Sequence, residues 1–530
     1  MAPIFKLCHH IITSSKTTPN DLLLSINSMA TCPIHAVPVE LLQEIFLSNT
    51  ELDDVPPHDR LTTARHSSQV CQLWRSILLQ TPRVWSRLLD LNSLAKSKAK
   101  WREVVVSRIG EAPIWMEGSI KPTTLSLVTS VLEKKWRNVQ ILQLEGTLDD
   151  YPTENWSFLG REAPILERIF LHFPDPVHYI QRIQWQYPDV LFDDSAPKLK
   201  EFELSSAIRV VFLDPWFSNL RTLVFTMGQT VHQIFSLLQT TPQLEQLHLL
   251  PGSIIDKGDT SVPAIALPRL EFMHLGHRSC SEAIPFLESI EPSSKCLLSM
   301  AEVANLNVAT ADASLVVNLF TSVLEWLAKY SVGCQLKDIT LETIPGNEFV
   351  TFLWIRGPSG SGSERGHYRN MTLDVQIPFN NDDSGFMQIL VDSPVFSFVS
   401  RLHLCVSTYT HYEGLLRLVQ KFSSVTKLIS DPKTIGALCN IIIDRTQPHF
   451  FPELHTIELK PTPRKELKNW TVSPSQLRSV CEFLEHRVVI ALPVSVLNVC
   501  HLKPYFHDRR NAQIMNRLNM IDGLVVTGDD

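Results

Sequence analysis

The residues that could do chemistry in this chain are few and badly placed for it. Cys8-His9-His10 offers three metal-binding side chains in a row, but a zinc centre needs a fourth ligand and a fixed tetrahedral frame, and none follows at ligand spacing. The acidic pairs Asp193-Asp194 and Asp382-Asp383 could share a proton or a cation, yet both stand in loop-like contexts rather than on facing elements. Arg356 to Gly366 (RGPSGSGSERG) has the glycines of a phosphate cradle without the Lys-Ser/Thr that would close on the phosphates, so it is expected to be a solvated insert. The chain holds no H-E-x-x-H or G-x-S-x-G pattern. The expectation is a protein that is not an enzyme and uses no cofactor or metal.

Composition narrows the partners. Lys plus Arg number 48 against 55 Asp plus Glu, a net charge of −7, so the chain lacks the positive excess that nucleic acid binding draws on. Ten cysteines without a C-x-x-C pair suit reduced thiols, and a cytoplasmic or nuclear protein, better than a disulfide framework. The longest apolar run, Val488 to Cys500, is interrupted by Pro493 and Asn498 and is too short to span a bilayer. No membrane partner is expected. The sequons at Asn155, Asn370 and Asn469 would matter only in a secreted protein, and the N-terminus shows no export signal.

What remains is apolar patterning. Behind Pro38 and Glu40, which suit the start of a helix, Leu41, Leu42, Ile45 and Phe46 form one stripe. A loop is expected from Leu52 to Asp59, where Pro56-Pro57 lies. A second helix is expected from about Leu61, with Val70, Leu73, Trp74, Ile77 and Leu78 on one face, before Thr81-Pro82 stops it and Trp85 follows. Arg60 is expected to be exposed. Two or three short helices have too little volume to bury Leu42, Phe46, Val70, Trp74 and Trp85 among themselves, so part of this surface should meet a partner.

Val37-Pro38-Val39-Glu40-Leu41-Leu42 with Ile45-Phe46 resembles the opening L-P-x-E-L-L-x-x-I-F of the F-box family, and Val70-Cys71-Gln72-Leu73-Trp74-Arg75 with Pro82 and Trp85 resembles its V-C-x-x-W-R and closing P-x-x-W. Val37 replaces the usual Leu, and the link between the helices is longer than in the shortest members. The segment Arg108 to Ile114 is similar to the R-S-G-x-A-P-L run of a fungal, basidiomycete-type group of F-box proteins. The resemblance implies a three-helix F-box that binds a Skp-type adaptor, and through it a cullin, with Pro38, Leu41, Leu42, Ile45, Phe46, Val70, Cys71, Trp74 and Trp85 as the docking residues.

Downstream a unit recurs: Trp136 to Leu144 (WRNVQILQL), Ala163 to Leu171, Ala196 to Leu204, Phe217 to Phe225, Thr241 to Leu249, Leu267 to Leu275 and Phe451 to Leu459 (FPELHTIEL). Weaker echoes lie at Cys334 to Leu341, Ser400 to Cys405 and Phe422 to Leu428. Through Leu270 the copies are roughly 21 to 33 residues apart, in or near the leucine-rich-repeat range. Helical stripes such as Val231, Ile234, Phe235 and Leu238 lie between them, and a long helix is expected from Ala311 to Tyr330.

The fold class is therefore α/β: a three-helix F-box followed by an irregular leucine-rich-repeat-like solenoid. A set of unrelated βα units in a compact α/β domain is the alternative. The expected organisation is a flexible tail over 1–35, the F-box over 36–90, a helical linker over 91–135 and the repeat region over 136–530. Residues between the buried leucines should face outward on the concave strand surface and meet an unknown protein substrate. Glu201, Glu203, Arg221, Gln246, His248 and His274 are the candidate contacts, alongside Arg168, Phe170, Val224 and Phe272. Two functions fit: substrate receptor of a Skp-cullin-F-box type ubiquitin ligase, or a leucine-rich scaffold or F-box protein acting outside a ligase.

Overall fold

In each repeat the same short turn precedes a strand. The backbone N–H of Leu166, Leu199, Leu220, Leu244, Leu270 and Leu454 donates to the carbonyl three residues back, and each of these leucines is buried. The chain then extends, and alternation sends one side chain into the core and the next out of it. The computed structural model describes residues 37–51, 57–146, 153–172, 190–204, 215–226, 229–250, 262–276, 280–300, 313–330, 338–343, 350–356, 372–378, 384–405, 412–444, 450–460, 472–502 and 512–528. The expected tail over 1–35 and most of the Gly/Ser-rich insert lie outside them.

The strands are β1 Leu89–Asp90, β2 Ile114–Ser119, β3 Val139–Glu145, β4 Arg168–His172, β5 Glu201–Leu204, β6 Thr222–Phe225, β7 Gln246–Leu249, β8 Ile265–Leu267 and β9 Phe272–Leu275. They continue as β10 Ile290–Pro292, β11 Leu297–Met300, β12 Asp338–Thr343, β13 Val350–Arg356, β14 Thr372–Pro378, β15 Arg401–Cys405, β16 Lys427–Ser430, β17 Thr456–Leu459, β18 Val496–Asn498 and β19 Val525–Thr527. All seven copies of the sequence unit end in a strand.

Seventeen of these strands form one sheet. From β1 each strand pairs in parallel with the next through β7, then with β9 and β11; the run continues through β14, β13, β12 and β15 and ends at β19. Among the described strands only β13 runs antiparallel to its neighbours. β8 and β10 make a separate parallel pair. The sheet starts at Leu89, so the 91–135 segment is more than a helical linker: it contributes β2, inserted between β1 and β3.

Among the described residues, the region expected to hold a three-helix F-box has four helical segments: α1 Val39–Ser48, α2 Pro57–Val70, α3 Gln72–Leu79 and α4 Pro82–Ser86. The helix expected to run on past Leu61 starts earlier, at Pro57, inside the expected loop, and breaks at Cys71. There the backbone is extended (φ −154°, ψ 169°) and Sγ accepts from the Trp74 N–H at 3.4 Å, capping α3. Two more helices, α5 Leu91–Ala95 and α6 Ala99–Arg108, lead to β2. The long helix expected near Ala311 spans Ala313–Tyr330, with Leu319, Phe320, Val323, Leu324 and Leu327 buried.

Candidate functional site

Helix geometry divides the nine candidate docking residues into two sets. Along α1 the stripe is wider than one contact, so Leu42 and Phe46 turn inward and are buried, while Leu41 and Ile45 are 55% and 43% exposed. Val70 is 62% exposed and Pro38 is exposed beside α1. Phe46 meets Trp74 edge to face, ring centres 5.1 Å apart, which joins α1 to α3 and leaves Trp74 partly buried. Trp85 is buried, donates from Nε1 to the Leu78 carbonyl at 2.7 Å and lies under the Arg108 guanidinium at 4.4 Å. Leu42, Phe46 and Trp85 thus hold the module together, and Cys71 shapes its backbone. Pro38, Leu41, Ile45 and Val70 are the candidate docking residues that stay exposed. Val39 and Leu79, 42% and 41% exposed, are further apolar side chains on the surface of these helices.

The helices are joined to the sheet by a charge that patterning missed. Arg60, expected to be exposed, is 1% exposed and forms an ion pair with Glu117 of β2, itself 5% exposed. A guanidinium is tolerated there because its counter-charge comes with it. Around this junction Asp90 caps α5, accepting from Asn92 N at 3.0 Å and Ser93 N at 3.3 Å, and Arg87 reaches Glu51 at 2.7 Å while lying 4.2 Å over the Trp115 ring. Gly118 takes φ +111°, and a Cβ there would stand 3.1 Å from the Asn92 side chain, so glycine is required where β2 passes the cap.

On the sheet face turned away from the leucine core, register aligns the candidate target contacts in two rows. Arg168, Glu201, Thr222, Gln246 and Phe272 are opposite one another, as are Phe170, Glu203, Val224, His248 and His274. Arg221 is not in either row. It precedes β6, its N–H bonds to the Lys200 carbonyl, and its side chain reaches Glu245 at 3.3 Å; Thr222 occupies the row position.

The chemistry varies along the rows. Arg168 grips Glu201 through both Nε at 2.5 Å and Nη2 at 2.7 Å. Glu203 lies 3.8 Å from His172 Nδ1, and this carboxylate raises the imidazole pKa. His248 and His274 are buried, with ring centres 6.0 Å apart, and His274 Nδ1 is 3.0 Å from Ser299 Oγ. Burial, reinforced by the charge of His274, pushes the His248 pKa down to about 3, so that histidine is neutral at physiological pH.

At the far end of the same face is a cluster absent from the sequence reading. Lys427, Lys460 and His501 surround Glu458 at 2.6, 2.7 and 3.6 Å. Although burial works the other way, the hydrogen bonds from the two lysines hold the Glu458 carboxyl down at about 2. The FPELHTIEL copy places Glu458 at an outward position, but its partners come from separate elements. Among the described residues no group of three or more His, Cys, Asp or Glu is arranged to hold a metal, and no helix is long and apolar enough to cross a membrane.

No family model matches the chain. Over 187 residues it is 29% identical to an F-box/FBD/LRR-repeat protein of Arabidopsis thaliana, a match covering 28% of this chain and 40% of that protein. The chain thus spans less than half the length of the curated relative it matches. The relative is a plant protein, so the likeness supports an F-box and leucine-rich-repeat kinship at most and does not reach the fungal grouping.

Proposed function

We propose that this chain is a substrate-recognition adaptor of a Skp-cullin-F-box type ubiquitin ligase, acting in the cytoplasm or nucleus and catalysing no reaction itself. The F-box would bind a Skp-type adaptor and through it cullin; the outward face of the parallel strands would hold a protein target. The observation that carries the reading is the exposure of Pro38, Leu41, Ile45 and Val70, apolar positions of the two F-box patterns, in a module whose Leu42, Phe46 and Trp85 are already buried. Exposed apolar side chains gathered on short helices are costly in a lone protein and are expected where a partner covers them. The kinship with an F-box/FBD/LRR-repeat protein supports the same reading.

Deleting the F-box is a poor test, because the buried Arg60–Glu117 pair ties it to β2 and its removal would break that pair from one side. A point variant is cleaner. The full chain carrying Ile45→Asp should lose the Skp-type adaptor and cullin from affinity-purified complexes while retaining its target, which should then accumulate. Reversing charge at Glu201 and Glu203 together should do the opposite, sparing the adaptor and losing the target. Complexes that contain the adaptor but never cullin would favour an F-box protein working outside a ligase.

A further inference from the structure

We propose that the last strands of the sheet carry a binding site for an acidic, carboxylate-bearing segment of the captured protein, built from Lys427, Lys460 and His501 around Glu458 and extended by Arg401. The inference rests on the reading that this sheet face receives a target, and it adds which end engages it and what chemistry the target brings.

The placement follows from the strands. Leu402, Leu428 and Ile457 are wholly buried in the core, so alternation turns Arg401, Lys427 and Glu458 to the other face. Register sets Arg401 directly beside Lys427 in the neighbouring parallel strand. Lys460 follows the buried Leu459 at the end of β17, and His501 enters from the short helix Cys500–Leu502 after β18.

Two features set this cluster apart from an ordinary structural ion pair. The first is charge balance. At Glu458 itself one carboxylate meets two ammonium groups and a histidine, so positive charge is in excess there; Arg401, next to Lys427 on one side, has Asp338 opposite it on the other. Toward the other end of the face, Arg168 and Glu201 match one to one. The second is exposure. The Glu458 side chain is 8% exposed, whereas Lys427, Lys460 and His501 are 34%, 32% and 47% exposed.

The anion is therefore hidden and the cations reach solvent. Each ammonium has three N–H donors and spends one on Glu458, leaving others to project outward. Glu458 holds both lysines at the site and competes with an incoming carboxylate for their ammonium groups. The acidic net charge of the whole chain argues against a polyanion such as nucleic acid, which needs many neutralised phosphates, and favours a short acidic stretch of protein.

The test uses the full chain, co-expressed with a Skp-type adaptor, and fluorescein-labelled octaglutamate followed by anisotropy, with octalysine and octaserine as controls. Octaglutamate should bind and the controls should not. Lys427→Gln with Lys460→Gln should weaken it about tenfold or more, since two charge-assisted contacts are lost. Glu458→Gln should tighten it several-fold by releasing both ammonium groups. A merely structural cluster gives the reverse pattern, a lower thermal midpoint for Glu458→Gln with unaltered peptide binding, and that result overturns the proposal. If the Glu458 variant fails to fold, the exposed Arg401→Glu decides: it should weaken octaglutamate several-fold, and no change overturns the site. Failure of octaglutamate to bind the wild-type chain, or competition by inorganic phosphate alone, also overturns it. Adaptor co-purification, measured on the same samples, separates the two readings: peptide binding lost with the adaptor retained removes this site and leaves the ligase reading intact.

Discussion

Replacing Glu117 with Ala should be among the most destabilising changes in the chain, and the structure says by how much. Arg60 and Glu117 have side-chain exposures of 1% and 6%, so water screens neither charge. Removing the carboxylate takes the Glu117 counter-charge away from a guanidinium held inside the junction between α2 and β2. Breaking a buried pair from one side costs about 3–5 kcal/mol. Replacing both partners by apolar residues of similar volume, Arg60→Met with Glu117→Leu, removes the charges together and should return stability to within about 2 kcal/mol of wild type.

The assay is a urea titration of Glu117→Ala, Arg60→Met, Glu117→Leu, the double variant Arg60→Met with Glu117→Leu, and the wild type, followed by tryptophan fluorescence and far-ultraviolet circular dichroism. Trp85, Trp101 and Trp115 all lie around this junction, so fluorescence senses its opening. Coincident transitions license a single free energy, and the double-mutant cycle then gives the coupling directly. Single variants costing under about 1 kcal/mol, or a double variant costing the sum of both, would refute the argument that this pair bolts the helical module to the sheet.

Three further outcomes are expected. Leu41→Asp or Ile45→Asp should cost under about 0.5 kcal/mol of stability, because both positions are exposed, yet weaken Skp-type adaptor binding by more than about 1 kcal/mol in calorimetry. Phe46→Ala should instead lower stability by about 3–5 kcal/mol, since the ring is buried against Trp74, and an unchanged melt would show that the helices pack otherwise. Acid should also destabilise the protein through His248. Its folded pKa is depressed to about 3, so between about pH 6.5 and 3 the unfolded chain takes a proton that the folded one refuses, and stability falls with pH by up to about 1.4 kcal/mol per unit. His248→Leu should flatten that part of the pH–stability profile, and an identical slope in the variant would count against the burial argument.

The strands were legible because their cause is local. Leu166, Leu199, Leu220, Leu244, Leu270 and Leu454 each close a three-residue turn and start an alternating stretch, so period and position are written in a few neighbouring residues. The α1 stripe is legible for the same reason. Other features depend on what comes to lie across a boundary. That Arg60 is buried depends on Glu117, which arrives 57 residues later in β2. That Leu42 is covered and Leu41 is not depends on where α3 packs, and that Cys71 breaks a helix depends on its thiol finding the Trp74 N–H.

Arg221 shows the limit of one-dimensional alternation, because only the pairing of β5 with β6 puts Thr222, one residue on, in the row. The antiparallel β13 and the Glu458 cluster are decided further still from the local chain, by strands and a short helix that meet only in the folded sheet. Apolar periodicity specifies which face a residue takes; whether that face is covered, and which charge it meets, is settled by tertiary packing, because burial and Coulomb energy belong to pairs of segments rather than to either one.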